Sequence, residues 1–294
     1  MANVEANGIQ IEYETFGEKD SPALLLIMGL AGQLIDWDEE LCRQLAQAGH
    51  YVIRFDNRDV GLSSKIEEAG VPDIMQVIQA KMKGEPIHPP YTIENMADDV
   101  LGLLDALSIQ RAHICGMSMG GMIAQTLALK YPQRILSLVS IYSSTGDPKD
   151  PLPKPEIMQI ALTPTPEERG AYIEYYMKFF NAIAGPRFPH DQEWLREHAG
   201  QAYDRSFSPQ GVIRQWTAIM TQKDRKPALA SLSTPTLVIH GSDDPLVNVE
   251  CGRNTAAAIP GAKLMIIDGM GHDRPHGGAW PKIVEAIIEH TRNA

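Results

Sequence analysis

Three features of the sequence predict an α/β protein whose core is a doubly wound, mostly parallel sheet. Short apolar runs recur along the chain, segments with helical periodicity separate them, and the order strand, helix, strand implies parallel pairing. Of the 294 residues, 44% are hydrophobic and 21% are charged, as in a globular protein with a large core. Because single α/β domains reach about 250 residues, we expect one large domain with an insertion.

The first elements are predicted to be an antiparallel edge hairpin, then a strand, a helix and a strand. Residues 9–17 (IQIEYETFG) alternate apolar and polar side chains, and the Asn-Gly pair before them favours a tight hairpin turn. The segments 23–28 (ALLLIM) and 51–55 (YVIRF) form apolar runs, and 36–48 between them has helical periodicity. Two parallel strands are expected here.

The same alternation continues to the C-terminus. Further strands are predicted at 113–116, 135–142, 236–240 and 263–267. Further helices are predicted at 93–107, with Thr92 as the N-cap, at 122–130 and at 281–291. These elements extend the parallel sheet and cover its faces.

Between residues 143 and 231 the alternation stops. This stretch opens with the proline-rich sequence DPKDPLPKPE and contains helical patterns at 167–180 and 191–199, without a convincing buried strand. We predict that residues 146–231, called the cap segment below, form a helical cap. The core is then built from residues 1–145 and 232–294.

The charge balance limits the partners. The formal net charge is -11, from 37 acidic and 26 basic residues, so the average field repels phosphate backbones and anionic lipid surfaces. We expect no nucleic-acid partner and no membrane association.

The N-terminus and the cysteines indicate the compartment. No basic segment followed by an apolar stretch opens the chain, and the longest apolar run, 23–30, is too short to span a bilayer. The cysteines are odd in number and not closely spaced, which suits a reducing environment; they are Cys42, Cys115 and Cys251. These features predict a cytoplasmic protein.

The strongest chemical signal is the sequence GMSMG at 116–120, between a predicted strand and a predicted helix. A G-x-S-x-G pattern occurs by chance in many proteins, but this strand–turn–helix context is typical of a nucleophilic serine. Glycines let the neighbouring chain pass close to the strained turn, and the helix N-terminus favours negative charge on a bound carbonyl oxygen. Ser118 is therefore the candidate nucleophile.

A serine hydroxyl needs a base within hydrogen-bond reach, usually a histidine. His272 follows the strand 263–267 through a glycine-containing loop at the same sheet edge, and His276 in that loop is the alternative. The base needs a carboxylate that fixes its tautomer. Asp244 follows the strand 236–240 and is preferred over its neighbour Asp243, and the chain order serine, aspartate, histidine is the one expected for this arrangement.

An oxyanion hole needs backbone donors that face the developing charge. One is expected to be the amide of Met119, directly after the nucleophile. The other is expected to be the amide of Leu30, in the loop MGLAG after the strand 23–28, which stands where a His-Gly pair is often seen.

Two further groups of residues are predicted to act mainly in structure. The polar segment 56–63 (DNRDVGLS) is predicted to brace loops, chiefly through Asp56 and Arg58, rather than to take part in catalysis. Two or three aromatic residues of the cap segment are expected to line an apolar pocket while most pack the cap. The candidates are Tyr172, Tyr175, Tyr176, Phe179, Phe180, Tyr203, Phe207 and Trp216.

Together these motifs resemble the α/β-hydrolase superfamily over nearly the full chain. Within it, LLLIMGLAG and RFDNRDVGLSS resemble the group containing aclacinomycin methylesterase, and are also similar to the serine esterases that open macrolide lactones. The resemblance implies an α/β-hydrolase fold, the triad Ser118, Asp244 and His272, the oxyanion donors Leu30 and Met119, and a bulky polyketide-like ester as the small-molecule substrate. We separately expect a monomer or a homodimer.

Other functions remain open at this point. A cofactor-free perhydrolase or a carbon–carbon bond hydrolase could use the same triad, and a non-catalytic ligand receptor could retain it. Dehalogenases and epoxide hydrolases are disfavoured, because they attack through an aspartate where this chain has Ser118. Neither a metal nor an organic cofactor is expected, since the sequence has no HExxH, no Walker A motif and no closely spaced Cys/His set.

Overall fold

The computed structural model describes residues 1–273 and 276–294, and these form one sheet of eight strands. In chain order the strands are β1 (Ala2–Ala6), β2 (Ile9–Phe16), β3 (Ala23–Ile27), β4 (Tyr51–Phe55), β5 (Ala112–Met117), β6 (Ile135–Ile141), β7 (Thr236–Gly241) and β8 (Lys263–Ile267). Their order across the sheet is β1-β2-β4-β3-β5-β6-β7-β8. The pairs β1–β2 and β2–β4 are antiparallel, and all other pairs are parallel. The predicted α/β fold with a mostly parallel sheet and an N-terminal edge hairpin is confirmed.

Helices cover both faces of this sheet. Those described are α1 (Glu39–Gln47), α2 (Ile74–Lys83), α3 (Ile93–Ala106), α4 (Met119–Lys130), α5 (Pro155–Ala161), α6 (Arg169–Ile183), α7 (Gln192–Arg205), α8 (Pro209–Met220), α9 (Lys226–Leu229), α10 (Val249–Ala258) and α11 (Trp280–Arg292). None of these helices combines the length and the apolar composition needed to cross a bilayer.

The two sides of the sheet explain the continuous apolar run of β3. Leu25 and Ile27 belong to the core cluster on the face covered by α3 and α4, whereas Leu24 and Leu26 belong to the cluster on the face covered by α1 and α11. A strand buried on both faces needs apolar side chains at successive positions rather than at alternate ones.

Several helices begin at capping residues. Thr92 accepts a hydrogen bond from the Asn95 amide, as an N-cap does, at 3.3 Å. The helix expected over 36–48 begins later, at Glu39, because the Asp38 carboxylate accepts from the Glu40 amide at 2.8 Å. The helix expected from residue 122 begins at Met119, directly after Ser118. No individual helix was predicted at α2, α5, α8, α9 or α10, although α5, α8 and α9 lie in the segment expected to be helical.

Between β6 and β7 the described chain forms the helices α5 to α9 and no strand. α6 and α7 pack together through a small apolar cluster that includes Ile173 and Leu195. Aromatic side chains pack against this cluster or on one another, as expected for most of the cap aromatics; they are Tyr172, Tyr176, Phe179, Phe180, Tyr203 and Phe207. The division of the chain into a core and a cap stays a prediction.

Candidate active site

Ser118 occupies a strained turn between β5 and α4. Its φ of 54° and ψ of -122° lie outside the regions that residues with a Cβ prefer. The flanking glycines are required by close contacts, because a Cβ on Gly116 would lie 2.1 Å from the Gly120 carbonyl oxygen and one on Gly120 would lie 2.1 Å from that of Ile27. The Ser118 amide donates to the Ile141 carbonyl at 2.9 Å, which fixes the turn against β6.

Asp244 and His272 are brought together from the ends of two neighbouring strands. The Asp244 side chain, in the loop after β7, is fully buried, and its Oδ2 lies 2.7 Å from Nδ1 of His272 in the loop after β8. Its Oδ1 accepts from the amides of Leu246 and Val247 at 2.9 and 2.8 Å. The carboxylate is thereby held in one orientation toward the imidazole.

The two alternative residues have other partners. Asp243 is exposed and accepts a hydrogen bond from the Ser242 hydroxyl. His276 has its Nδ1 2.6 Å from Oδ2 of Asp38 and stacks on the Trp194 ring. Neither of them takes part in the contact between Asp244 and His272.

The environment of Asp244 favours its ionised form. Burial by itself raises the pKa of the carboxyl, but the favourable electrostatic interactions with His272 and His240 outweigh it and lower the pKa to about 2. An ionised Asp244 stabilises the tautomer of His272 that carries its proton on Nδ1, so that Nε2 is free to accept one.

His240 also contacts the acid, which the sequence did not indicate. This histidine lies in the buried strand β7. Its Nε2 lies 2.8 Å from the Val247 carbonyl oxygen and 3.6 Å from Asp244 Oδ2. His240 therefore helps to hold the loop that carries the acid.

Tyr142 lies between the serine turn and the histidine loop. Its ring centroid is 4.2 Å from that of His272, and its hydroxyl donates to the Asp273 carbonyl oxygen at 2.9 Å. The same hydroxyl is 3.2 Å from the sulfur of Met117, the residue before Ser118. Met117, the residue before Ser118, and His272 thus contact the same side chain.

The loop after β3 runs beside the serine. A Cβ on Gly29 would lie 3.1 Å from the Cβ of Ser118, so the backbone of this loop is in contact with the elbow. Leu30, the next residue, is half-buried. Met119 is the first residue of α4, and amides in the first turn of a helix have no acceptor within the helix. Gly29, the residue before Leu30, thus contacts the Ser118 side chain, and Met119 directly follows Ser118 in the chain.

The segment 56–63 makes the bracing contacts that were expected of it. Asp56 accepts from the amides of Leu34 and Leu62 at 2.7 and 2.8 Å. Arg58 forms two hydrogen bonds of 2.6 Å to Asp99 in α3. These contacts hold the loops around the site rather than offering a reactive group.

The cap segment also touches the histidine loop. The His272 amide donates to the Ile183 carbonyl at 2.8 Å, and the Gly185 amide donates to Asp273 Oδ1 at 3.0 Å. Burial raises the pKa of the Asp273 carboxyl to about 6, although the Gly185 and Gly271 amides act in the opposite direction. Asp273 was missed in the sequence, where the search of this loop was for a base and singled out only His272 and His276.

In the part of the chain that the structure describes, no group of three or more His, Cys, Asp or Glu side chains is arranged to hold a metal ion.

Comparison with known proteins gives the same fold and family. The model of the alpha/beta hydrolase fold family matches residues 22–275. The rhodomycin D methylesterase DauP of Streptomyces sp. (strain C5) is 30% identical, with 96% of this chain and 94% of that protein covered. The rhodomycin D methylesterase DnrP of Streptomyces peucetius is 29% identical, with the same coverage of 96% and 94%.

A solved structure agrees at the level of the fold. The enol-lactonase from Burkholderia xenovorans LB400 superimposes with a TM-score of 0.74 at 24% identity, covering 99% of this chain and 100% of that one. The expected resemblance to α/β hydrolases and to their methylesterase group is confirmed. The chain belongs to the α/β-hydrolase fold family and is an enzyme of its esterase and hydrolase class.

Proposed function

We propose that the protein hydrolyses carboxylic esters through an acyl-enzyme formed on Ser118. His272 is the general base, Asp244 orients and stabilises it, and the amides of Leu30 and Met119 bind the oxyanion. The observation that carries the proposal is the 2.7 Å contact between His272 Nδ1 and the buried Asp244 Oδ2, taken together with the strained turn that holds Ser118.

The reaction has two similar halves. His272 Nε2 takes the hydroxyl proton as Ser118 Oγ attacks the ester carbonyl, and the carbonyl oxygen becomes an oxyanion held by the two amides. The C–O bond to the alcohol then breaks, and His272 gives its proton to the leaving alkoxide. Water attacks the acyl-enzyme in the same way, which releases the acid and restores Ser118.

The proposed substrate is a bulky ester, either a polyketide methyl ester or a macrolide lactone. The methyl ester is favoured, because two relatives of nearly the same length are named as rhodomycin D methylesterases. The aromatic residues of the cap segment offer large apolar surfaces of the kind that bind polycyclic compounds.

Mass spectrometry of products tests this proposal. Wild type and Ser118→Ala are incubated with polyketide methyl esters, macrocyclic lactones and simple aryl esters. Loss of methanol that depends on Ser118 supports a methylesterase, and a gain of one water without fragmentation supports a lactone-opening esterase. If Ser118→Ala hydrolyses these esters as fast as wild type does, the mechanism is wrong. Peroxyacid formation or carbon–carbon cleavage, without ester turnover, would favour the corresponding alternative reaction on this triad.

A further inference from the structure

A glutamine of the cap segment touches the loop proposed to bind the oxyanion. Gln215 lies in α8 and is fully buried. Its Oε1 accepts from the Ala31 amide at 3.0 Å, and its Nε2 donates to the Arg58 carbonyl at 2.8 Å. The oxygen and the nitrogen of the side-chain amide therefore each hydrogen-bond to a different loop, one after β3 and one after β4.

The contact is made at a strained position. Ala31 has a φ of 63°, a left-handed conformation that a residue with a Cβ adopts only when its surroundings impose it. The hydrogen bond to Gln215 fixes the peptide group between Leu30 and Ala31. The orientation of this peptide group is coupled to that of the Leu30 amide, because the Gly29–Leu30 and Leu30–Ala31 peptide groups are both attached to the Cα of Leu30.

The other end of Gln215 is attached to a rigid part of the core. The Arg58 guanidinium forms two hydrogen bonds of 2.6 Å to Asp99, so Arg58 is fixed to α3. The adjacent Arg214 forms two hydrogen bonds to Asp59, of 2.9 and 2.7 Å, and both side chains are buried. α8 is thus held in register with the segment 56–63, and Gln215 cannot shift without breaking these contacts.

We propose that Gln215 is a positioning residue that sets the orientation of the Leu30 amide in the oxyanion hole. This inference rests on the proposed function, since it assigns Leu30 to that hole. It gives the cap segment a part in transition-state stabilisation as well as in enclosing the substrate.

The test compares Gln215→Met with Thr217→Val, using an aryl ester as substrate. Methionine retains the length of the side chain and removes both hydrogen bonds. Thr217 is equally buried in α8, but its hydroxyl bonds only to the Ile213 carbonyl of the same helix, at 2.9 Å. Loss of a donor from an oxyanion hole lowers kcat by about 100- to 1000-fold. Gln215→Met displaces the Leu30 donor without removing it, so we expect a smaller fall in kcat, of about 10- to 100-fold.

Three readouts distinguish positioning from a general structural effect. In Gln215→Met, kcat falls with KM unchanged, and affinity for a boronic acid, which forms a tetrahedral adduct on Ser118, falls in parallel with kcat. Gln215→Glu retains an acceptor for the Ala31 amide but loses the donor to the Arg58 carbonyl, so only part of the lost activity returns. Thr217→Val resembles wild type in all respects.

Two results would overturn the inference. One is a folded Gln215→Met whose kcat and boronic acid affinity stay within about twofold of wild type, a change smaller than one weak hydrogen bond produces. The other is an equal loss in Thr217→Val, which would show that α8 packing alone matters. Failure of the proposed function itself is recognised separately, because Ser118→Ala would then hydrolyse the aryl ester at the wild-type rate.

Discussion

At the residue scale, Asp244 uses both of its oxygens as acceptors. Oδ1 accepts from two backbone amides and Oδ2 faces His272 and His240. An asparagine at this position must direct its NH₂ group toward other donors or toward His272 Nδ1. In either orientation the asparagine disturbs the tautomer or the position of the imidazole.

We therefore expect Asp244→Asn to lower kcat by about 10⁴-fold, the size of effect that follows from the wrong tautomer of a catalytic histidine. KM should change little, because the carboxylate is buried and does not reach the substrate. Steady-state kinetics on an aryl ester measure both constants.

The neighbouring aspartate provides the matched control. Asp243→Asn replaces an exposed carboxylate one residue away and should keep kcat within about twofold of wild type. A larger loss in Asp243→Asn than in Asp244→Asn would reverse the assignment of the acid.

At the element scale, α8 is attached to the core by a buried ion pair. The Arg214 and Asp59 side chains are only 1% and 0% exposed. α8 approaches the Asp59 backbone so closely that a Cβ on Gly211 would lie 2.1 Å from the Asp59 carbonyl oxygen. Glycine at this position permits the approach that forms the ion pair.

Removing one partner of such a pair leaves an uncompensated buried charge. We expect Arg214→Met to lower the free energy of unfolding by about 3–5 kcal/mol, measured by urea denaturation. Arg169→Met is the control, because Arg169 makes an equally well-formed pair with Asp204 whose side chains are 50% and 56% exposed. Exposed pairs contribute about 0–1 kcal/mol, so similar losses in the two variants would contradict the prediction.

The histidine of β5 makes the sheet sensitive to acid. His113 is buried, with Nδ1 2.8 Å from the Ser137 hydroxyl of β6. Burial lowers its pKa to about 4, and the neighbouring His50, His290 and Arg111 act in the same direction. The fold therefore favours the neutral imidazole. The resulting stabilisation is complete above pH 6.5, the ordinary pKa, and is lost as the pH falls through the folded-state value.

We expect His113 to account for about 3 kcal/mol of lost stability as the pH falls from 7 to 4, since each unit of pKa shift corresponds to about 1.4 kcal/mol. The free energy of unfolding of His113→Asn should consequently depend less steeply on pH over this range. His88→Asn, which replaces an exposed histidine, should keep the wild-type slope. Equal slopes in wild type and His113→Asn would contradict the lowered pKa.

The sequence predicted elements best where local chemistry decides the structure. Thr92 caps α3 and the glycines of 116–120 form the serine turn, because the residues that act there are close in sequence. It could not predict that Gln215 reaches Ala31, since nothing in the pattern of α8 shows which loop, 184 residues away, the helix meets. Likewise, Asp244 is buried and Asp243 is exposed. This difference depends on how the loop folds, so two adjacent aspartates in the sequence do not reveal it.

At the scale of the whole molecule, the cap segment contacts the core around the site through polar side chains. His198 of α7 has its Nε2 2.5 Å from Asp36 Oδ1, near the loop after β3. Trp194 of the same helix stacks between His198 and His276, with ring centroids 4.7 and 3.9 Å away. Together with the Gly185 contact to Asp273, these interactions make the position of the cap segment depend on the loops that carry the proposed catalytic groups.

The net charge of the molecule adds a property that no single contact provides. With a formal charge of -11, the protein creates a negative potential that slows the approach of anionic substrates and leaves neutral ones unaffected. Salt shortens the range of this potential, from about 30 Å at 0.01 M to about 3 Å at 1 M ionic strength. Electrostatic repulsion of a substrate should therefore weaken as salt is added.

We expect kcat/KM for an aryl ester that carries a carboxylate to rise several-fold between low and high sodium chloride. For a neutral aryl ester of the same length, kcat/KM should change by less than about twofold, since steering acts on charge. Ser118→Ala measured in parallel corrects for hydrolysis that does not depend on the proposed nucleophile. An equal response of the two esters would show that the field at the site entrance does not follow the net charge. If kcat/KM falls with added salt for the anionic ester alone, a local positive surface attracts acidic substrates despite the overall negative charge.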